Sequence, residues 1–533
     1  MKSLKFVSLA ILSGLLLGAA WFPPFTWLIF IAFVPLLILT NQVENSDIKR
    51  KKLTVFLLSY FTFLIWNTID TWWIWYASDG GAVAAIVANS LLMALTYLLY
   101  LSLKERINSI VYGIWILIPI WLAFEYLHCK WELAWTWLTV GNVFAFEHNW
   151  VQWYEFTGVS GGTVWMLAIN ILLYQLIQLK FNPQNPQLRV QLLKIFILLS
   201  LPLSLSYFIK MHVLDGTPEN TQQVLIVQPN IDPYNDKFSG NYQEQLQKVY
   251  DKVKNKITTK TNYLELPETF LTEEIWENEI EQTYSIKFLK DSLLTKFPDL
   301  NIVIGATTLR RYNKGDSMPA TARAFINTDI YYDVYNTAIQ LNKVGIQLYH
   351  KSKLVPGVER MPYPAFFKPL EGLAIKLGGT FGSLGTQDER TVFFNKDKSV
   401  GVAPVVCYES VFGEYVTDYI NNNANVIFII TNDGWWRDTP GYKQHLAYAR
   451  LRAIETRKQI ARSANTGISC VVDEMGEIHA AQPWWQEGYI MANLIPNNEK
   501  TFYVRFGDVL SKLAWLITFS LIGYSIFLRF KKQ

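Results

Sequence analysis

The chain has 533 residues, too many for one ordinary core. It is 51% hydrophobic, 15% aromatic and only 17% charged, well below the roughly 25% charged of a typical soluble domain. A net charge of +4 leaves no broad basic face and excludes nucleic acid as a partner; three cysteines without a CxxC pair, and six histidines without HxxxH or HExxH spacing, give no disulfide framework or zinc site, so no metal and no cofactor is expected.

The apolar excess sits at the two ends of the chain. A membrane-crossing helix needs about 20 apolar residues, and eight runs approach that: 5–21, 26–40, 54–76, 82–103, 108–127, 158–179, 190–210 and 508–529. WFPPF at 21–25 predicts a Pro-broken hairpin between the first two. A cleaved leader is the other reading of MKSLKFVSLAILSGLLLGAA, but another apolar run follows within a few residues. Basic residues set the orientation. With Lys2 and Lys5 in the cytoplasm, the clusters at 49–52, at Lys104 and Arg106, at Lys180 and Arg189, and at Arg529, Lys531 and Lys532 all fall on that side. The expected organisation is seven spans over 1–212, a periplasmic domain over 213–507 and a returning span over 508–533, with both termini cytoplasmic. The Trp-rich stretch 131–154 is expected at the lipid headgroup level. Asp70 and Glu125, near the outer ends of their spans, either reach interfacial water or line a polar route for a lipid headgroup.

From 220 onward the pattern changes. VLIVQPN (224–230), YLELPE (263–268), NIVIGATTL (301–309), VGVAPVVC (400–407 with its flank) and NVIFIITND (425–433) read as buried strands, with helical stretches at 243–255 and 445–461. Strands alternating with helices argue for an α/β domain, whose chemistry gathers at the carboxyl ends of the strands. Glu268, Cys407, Asn432 and Asp433 fall there.

A buried cysteine is most often a small hydrophobe, and Cys129 and Cys470 are read that way. Cys407 differs: it ends its strand, and a helical segment is predicted from about Phe412. A thiol at such an elbow is expected to be exposed and to feel backbone N–H dipoles that favour the thiolate. It needs a base. His445 is one candidate; Glu268, after an apolar strand and a proline, is the stronger, although a carboxylate there also suits a helix N-terminus. Lys351 and Lys353 precede LVP and, on spacing alone, read as solvated surface.

LELPET (264–269), YHKSKLVPGVE (349–359) and PVVCYES (404–410), in that order, resemble the Glu–Lys–Cys segments of the nitrilase (carbon–nitrogen hydrolase) superfamily. With eight spans around such a domain, the chain is similar to the bacterial apolipoprotein N-acyltransferase family. GAAWFPPFTWLIFIAFVPLL, WLAFEYL, WTWLTVGN, TGVSGGTVWML, VLIVQPNI, VVDEMGEI and the long stretch 431–467 match further family segments. The resemblance implies an α+β multi-domain membrane protein: an eight-helix transmembrane bundle plus a nitrilase-like αββα sandwich. It implies Glu268 as general base, Lys351 as the triad lysine with Lys353 at a variable position, and Cys407 as nucleophile. Glu359 would help hold the site, and Tyr408, Glu409 and Trp435 would flank the pocket. LVPGVE departs from the family's more frequent L-V-P-F-G-E, Phe238 stands where a Trp is expected, and HCKW replaces a segment that more often carries Arg.

The implied reaction has two acyl transfers. Cys407 takes the sn-1 acyl chain of a phospholipid donor as a thioester, and the α-amino group of a diacylglyceryl-cysteine on an apolipoprotein then accepts it. Both partners belong to the lipid bilayer of the bacterial inner membrane. The stretch 357–386, with Gly hinges and apolar side chains, is expected to form an interfacial arm that gates the pocket. The competing readings are a membrane-tethered amidase that transfers its acyl group to water, and a transporter with an outer sensory domain.

Overall fold

A computed structural model describes residues 2–107, 113–179, 186–212, 221–237, 240–313, 315–325, 328–361, 363 and 383–531. The chain divides into two compact units, Met1–Val213 with Phe506–Gln533, and Leu214–Arg505.

In the first unit, among the described residues, six helical segments are long and apolar enough to cross a membrane: Thr26–Glu44, Lys51–Tyr76, Asp79–Ile107, Val159–Gln178, Pro186–His212 and Val509–Lys531. Two further apolar helices are shorter, Leu4–Ala19 and Leu117–Lys130. Inside this unit buried polar side chains tie helix to helix. Ser13 Oγ donates to the Ala32 carbonyl at 2.5 Å, and Asn170 accepts from Phe33 N at 2.8 Å while donating to the Ile29 carbonyl at 2.9 Å.

The Trp-rich stretch folds into short helical turns, Thr136–Leu138, Val140–Ala145 and His148–Trp150, and Trp137, Leu138, Val140, Val143 and Phe144 are buried. Its anchor is Glu125, which is itself buried. The carboxylate accepts from Trp121 Nε1 at 3.1 Å, Val140 N at 2.8 Å and Thr163 Oγ1 at 2.8 Å. Three donors that need a partner in an apolar surrounding converge on one acid, which is why the loop turns inward. Asp70 is also buried.

The second unit carries fourteen strands among its described residues. β1 (Gln222–Gln228), β2 (Thr261–Glu265), β3 (Leu271–Trp276), β4 (Asn301–Tyr312), β5 (Arg323–Ala324), β6 (Tyr331–Leu341), β7 (Ile346–His350) and β14 (Gly488–Leu494) form an eight-stranded mixed sheet. β8 (Phe393–Phe394), β9 (Gly401–Val406), β10 (Val426–Thr431), β11 (Ile460–Ala464), β12 (Ser469–Val472) and β13 (Ile478–Gln482) form a six-stranded one. β1, β2 and β4 run parallel, as do β9, β10 and β11. The two-residue period of a strand decides the layers. Val224 and Ile226 face the second sheet with Val402, Val406, Val426 and Phe428, while Leu225 and Val227 pack with the helices Tyr242–Val253 and Tyr284–Leu289. On the far side of the second sheet, the helices Gly413–Asn421 and Pro440–Thr456 supply Val416, Tyr419, Leu446 and Ala449. The result is a four-layered αββα sandwich.

Replacing Glu125 by Ala leaves Trp121 Nε1, Val140 N and Thr163 Oγ1 without their shared acceptor. The expected cost is about 2–4 kcal/mol, since each buried orphan costs about 1–3 kcal/mol and the site relaxes in part. Thermal unfolding of the detergent-solubilised protein would record a lower midpoint, with Glu125→Gln closer to wild type; an unchanged midpoint in Glu125→Ala would remove its anchoring role.

Candidate active site

Glu268 lies three residues past the end of β2. The ladder continues beyond the strand, because Leu266 N donates to the Val303 carbonyl at 2.8 Å and Gly305 N to the Pro267 carbonyl at 3.2 Å. Thr269 then takes φ +48°, which turns the chain into β3. A methyl group at Gly305 would lie 2.5–2.6 Å from Thr269 N, Glu268 Cα and Pro267 O, so only glycine allows the turn to pack there. Lys237, with 2% of its surface exposed, secures the same turn: its Nζ donates to the Glu268 carbonyl at 2.9 Å and to Thr269 Oγ1 at 2.6 Å.

Lys351 follows the last residue of β7, and its backbone N–H still pairs with the Asn336 carbonyl of β6 at 2.8 Å. Its ammonium, with a side chain 1% exposed, lies 2.9 Å from Glu268 Oε1 and 2.9 Å from Glu359 Oε1. Asn336 Nδ2 braces both carboxylates, at 2.8 Å and 3.1 Å. Glu359 Oε2 accepts from Val355 N at 2.8 Å. Lys353 is placed elsewhere, its ammonium 5.0 Å from the centre of the Phe412 ring.

Cys407 opens the turn Cys407–Val411 that follows β9, with φ +50°. A non-glycine residue in that region costs about 1–3 kcal/mol and persists only where its surroundings hold it. Glu409 is one such hold. Its Oε2 accepts from Val406 N at 2.9 Å, and its Oε1 accepts from Ser352 N at 2.7 Å, Tyr349 Oη at 2.6 Å and Tyr415 Oη at 2.8 Å. One buried carboxylate therefore ties the Lys351 loop to the Cys407 turn. Tyr408 is buried edge-on to Phe412, with centroids 5.1 Å apart. Trp435 is half-buried against Tyr234, at 5.4 Å.

The thiol departs from expectation in one respect. Cys407 is buried, and burial pushes the thiol well above its ordinary range. Glu268 and Asp433 add to the rise, while the Lys351 charge opposes it. The resting state is the thiol, because a strand end between two sheets loses more to desolvation than a short turn returns. Burial also pushes Glu268 up, but Lys351, the hydrogen bonds from Lys351 and Asn336, and the Lys237 charge outweigh it and hold the carboxyl below its usual range. Lys351 is pulled down by burial and raised further by Glu268, Glu359 and Cys407, so it stays charged. Lys237 is pushed down to about 8 by burial, against the upward pull of Glu268 and Cys407.

The structure thus brings Glu268, Lys351 and Glu359 into direct contact, with Cys407 in electrostatic reach of the first two. His445 contacts the Cys407 carbonyl through Nε2 at 3.2 Å. Asn336 and Lys237 were not signalled by the sequence. A lysine seven residues after an apolar strand and an asparagine in a mixed polar strand have no pattern of their own. Phe238, and residues 362 and 364–382 of the expected arm, lie outside the described residues.

Residues 223–500 match the carbon–nitrogen hydrolase family model, which sets the class of the second unit. Residues 13–172 match the model for the apolipoprotein N-acyltransferase N-terminal domain. An apolipoprotein N-acyltransferase of Chlorobaculum tepidum is 30% identical over 94% of this chain and 93% of its own, and one of Haemophilus influenzae is 26% identical over 95% and 93%. The chain belongs to the apolipoprotein N-acyltransferase family. Among solved structures, Saccharomyces cerevisiae Nit3, of the nitrilase superfamily, aligns at TM-score 0.37 and 20% identity over 52% of this chain and 90% of its own. An amidase from Nesterenkonia aligns at TM-score 0.36 and 15% identity over 57% and 98%.

Two outcomes are expected from this geometry. Gly305→Ala displaces the turn that presents Glu268; overpacking of this kind costs about 1–3 kcal/mol, and turnover falls at least tenfold, whereas Gly345→Ala, with nothing within 4 Å, behaves as wild type in the same melting and activity assays. Lys237 keeps its proton below about 8 and loses it above. Glu268 and Cys407 are the titratable groups it faces, so raising the pH removes a cation from beside the thiol. The rate of Cys407 acylation should bend downward near pH 8 in wild type, and a Lys237→Met variant should show a lower rate without that bend.

Proposed function

We propose that this chain N-acylates apolipoproteins at the α-amino group of an S-diacylglyceryl-cysteine, with a phospholipid as acyl donor and Cys407 as carrier. The carrying observation is the Glu268–Lys351–Glu359 cluster at the ends of β2 and β7, with the Cys407 thiol at the end of β9 coupled to it. Membership of the family and the apolar helices of the first unit support the choice of lipid substrates.

In the first half-reaction the Cys407 thiol gives its proton to Glu268 as the sulfur attacks the sn-1 ester carbonyl. Lys351, with the backbone N–H of Tyr408, stabilises the oxyanion. The C–O bond breaks, Glu268 returns the proton to the departing lysophospholipid alkoxide, and a thioester remains on Cys407. In the second, the α-amine attacks the thioester carbonyl, Glu268 takes the amine proton, the C–S bond breaks and the sulfur is reprotonated. The kinetics are ping-pong. Glu359, Tyr408, Glu409 and Trp435 support or flank the pocket.

The proposed topology is eight spans, with 1–212 and 508–533 forming the bundle, 213–507 periplasmic and both termini in the inner-membrane cytoplasmic face. The distribution of basic residues supports it.

Thioester trapping tests the reading. With phospholipid labelled in its sn-1 chain, wild type should gain a hydroxylamine-labile label that Cys407→Ala does not, released by a diacylglyceryl-cysteine peptide and barely by water. Release by water at a similar rate would make the chain a hydrolase. No label on wild type, with lipid shown to be accessible, would overturn the carrier assignment.

A further inference from the structure

Behind the Cys407 turn lies a second buried cluster that the two half-reactions above do not use. Ser410, Asp433, His445 and Arg462 each have no more than 1% of their surface exposed. His445, inside the helix Pro440–Thr456, places Nδ1 2.9 Å from Asp433 Oδ1 and Nε2 3.0 Å from Ser410 Oγ and 3.2 Å from the Cys407 carbonyl. Ser410 Oγ donates to that same carbonyl at 2.8 Å. Asp433, just past β10, accepts from Thr431 Oγ1 at 2.8 Å on the same Oδ1 and from Arg462 of β11 at 2.6 Å on Oδ2.

In spacing, Ser410, His445 and Asp433 copy a serine-hydrolase relay. They cannot work as one here, because the serine is sealed in the core and its hydroxyl is engaged by the Cys407 carbonyl. What they do form is a circuit that ends on one residue. It runs from Arg462 and Thr431 to Asp433, to His445 and to the Cys407 carbonyl, which Ser410 also holds. The residue gripped by its carbonyl is the one whose φ of +50° needs holding.

We propose that His445 is a positioning residue for Cys407: clamped by Asp433 and Arg462, it fixes the Cys407 carbonyl together with Ser410 and so aims the sulfur at the Glu268–Lys351 pair. The inference rests on Cys407 being the acyl carrier. It gives the histidine a role through the backbone of the nucleophile and leaves proton transfer from the thiol to Glu268. Because the aim of the sulfur matters after substrate is bound, the circuit acts on the chemical step and not on lipid binding.

The test uses full-length protein in nanodiscs, with His445→Ala, His445→Gln and Ser410→Ala. Three quantities are measured: the single-turnover rate of Cys407 acylation and its half-saturating lipid concentration, the rate of Cys407 alkylation by iodoacetamide without lipid, and the thermal midpoint. His445→Ala should lower the acylation rate at least 100-fold and slow alkylation, with half-saturation within threefold of wild type. Ser410→Ala should lose about five- to tenfold, having kept one of two donors. His445→Gln should regain at least tenfold over alanine, since its amide can again reach the carbonyl. Acylation within threefold of wild type in His445→Ala, or a loss seen only in half-saturation, would overturn the proposal. Should His445→Ala not fold, wild-type rates in both His445→Gln and Ser410→Ala would overturn it equally. A wild type that acquires no acyl label would instead sink the carrier assignment and the positioning role with it.

Discussion

Lys351 carries an ammonium group into a setting where only 1% of its side chain meets the surface, and a charge so placed is tolerable only when it is paired and fully hydrogen-bonded. The pairing comes from two carboxylates that are far apart in sequence. Glu268 arrives from the turn past β2, and Glu359 from the loop eight residues beyond the lysine, each at 2.9 Å. Asn336 on β6 donates to both acids. Removing any one of these groups leaves the others buried and short of a partner, so the strand registers that deliver them are coupled. The Gly305 position, the Lys237 grip on the Glu268 turn and the left-handed Thr269 all serve that delivery.

The same pairing sets the state of the nucleophile. Lys351 is balanced by two carboxylates, so it has little positive charge to spare for a thiolate, and the Glu268 charge works against one. The thiol is therefore held neutral and the carboxylate ionised, the reverse of a preformed ion pair. On the proposed reaction, proton transfer to Glu268 becomes favourable only as the sulfur forms its bond to carbon and the negative charge passes to the oxyanion beside Lys351. A thiol that works in this way would be quiet until an ester is in place.

How much of this was legible in the sequence follows from local pattern. The strands ending at Glu268 and Cys407 are unbroken apolar runs closed by polar residues, and Lys351 stands in a short motif of fixed spacing, so their positions could be read directly. The β6–β7 hairpin could not. From Asp333 to Leu341 this strand is buried on both faces yet contains Asp333, Asn336, Thr337 and Gln340, so neither alternation nor an apolar run marks it. The helix around His445 begins at Pro440, capped by Thr439, five residues before its apolar pattern becomes visible. One expectation fails for a physical reason. The Cys407 elbow was expected to be exposed, but local composition does not report which layers close over a segment. Glu409, gathering donors from the end of β9 and from the Lys351 loop, draws that elbow inside.

Every hydrogen bond named above for Glu268, Lys351, Glu359, Glu409 and Cys407 begins and ends within Leu214–Arg505. The bonds that organise Glu125 and its loop likewise stay within the other unit. The groups around the thiol and the groups around Glu125 are thus two separate hydrogen-bonded sets. On the proposed reaction, the lipid ester and the acceptor amine are then matters of which molecule is presented to Cys407. Transfer to an amine and transfer to water differ in access to one thioester, not in the groups that form it.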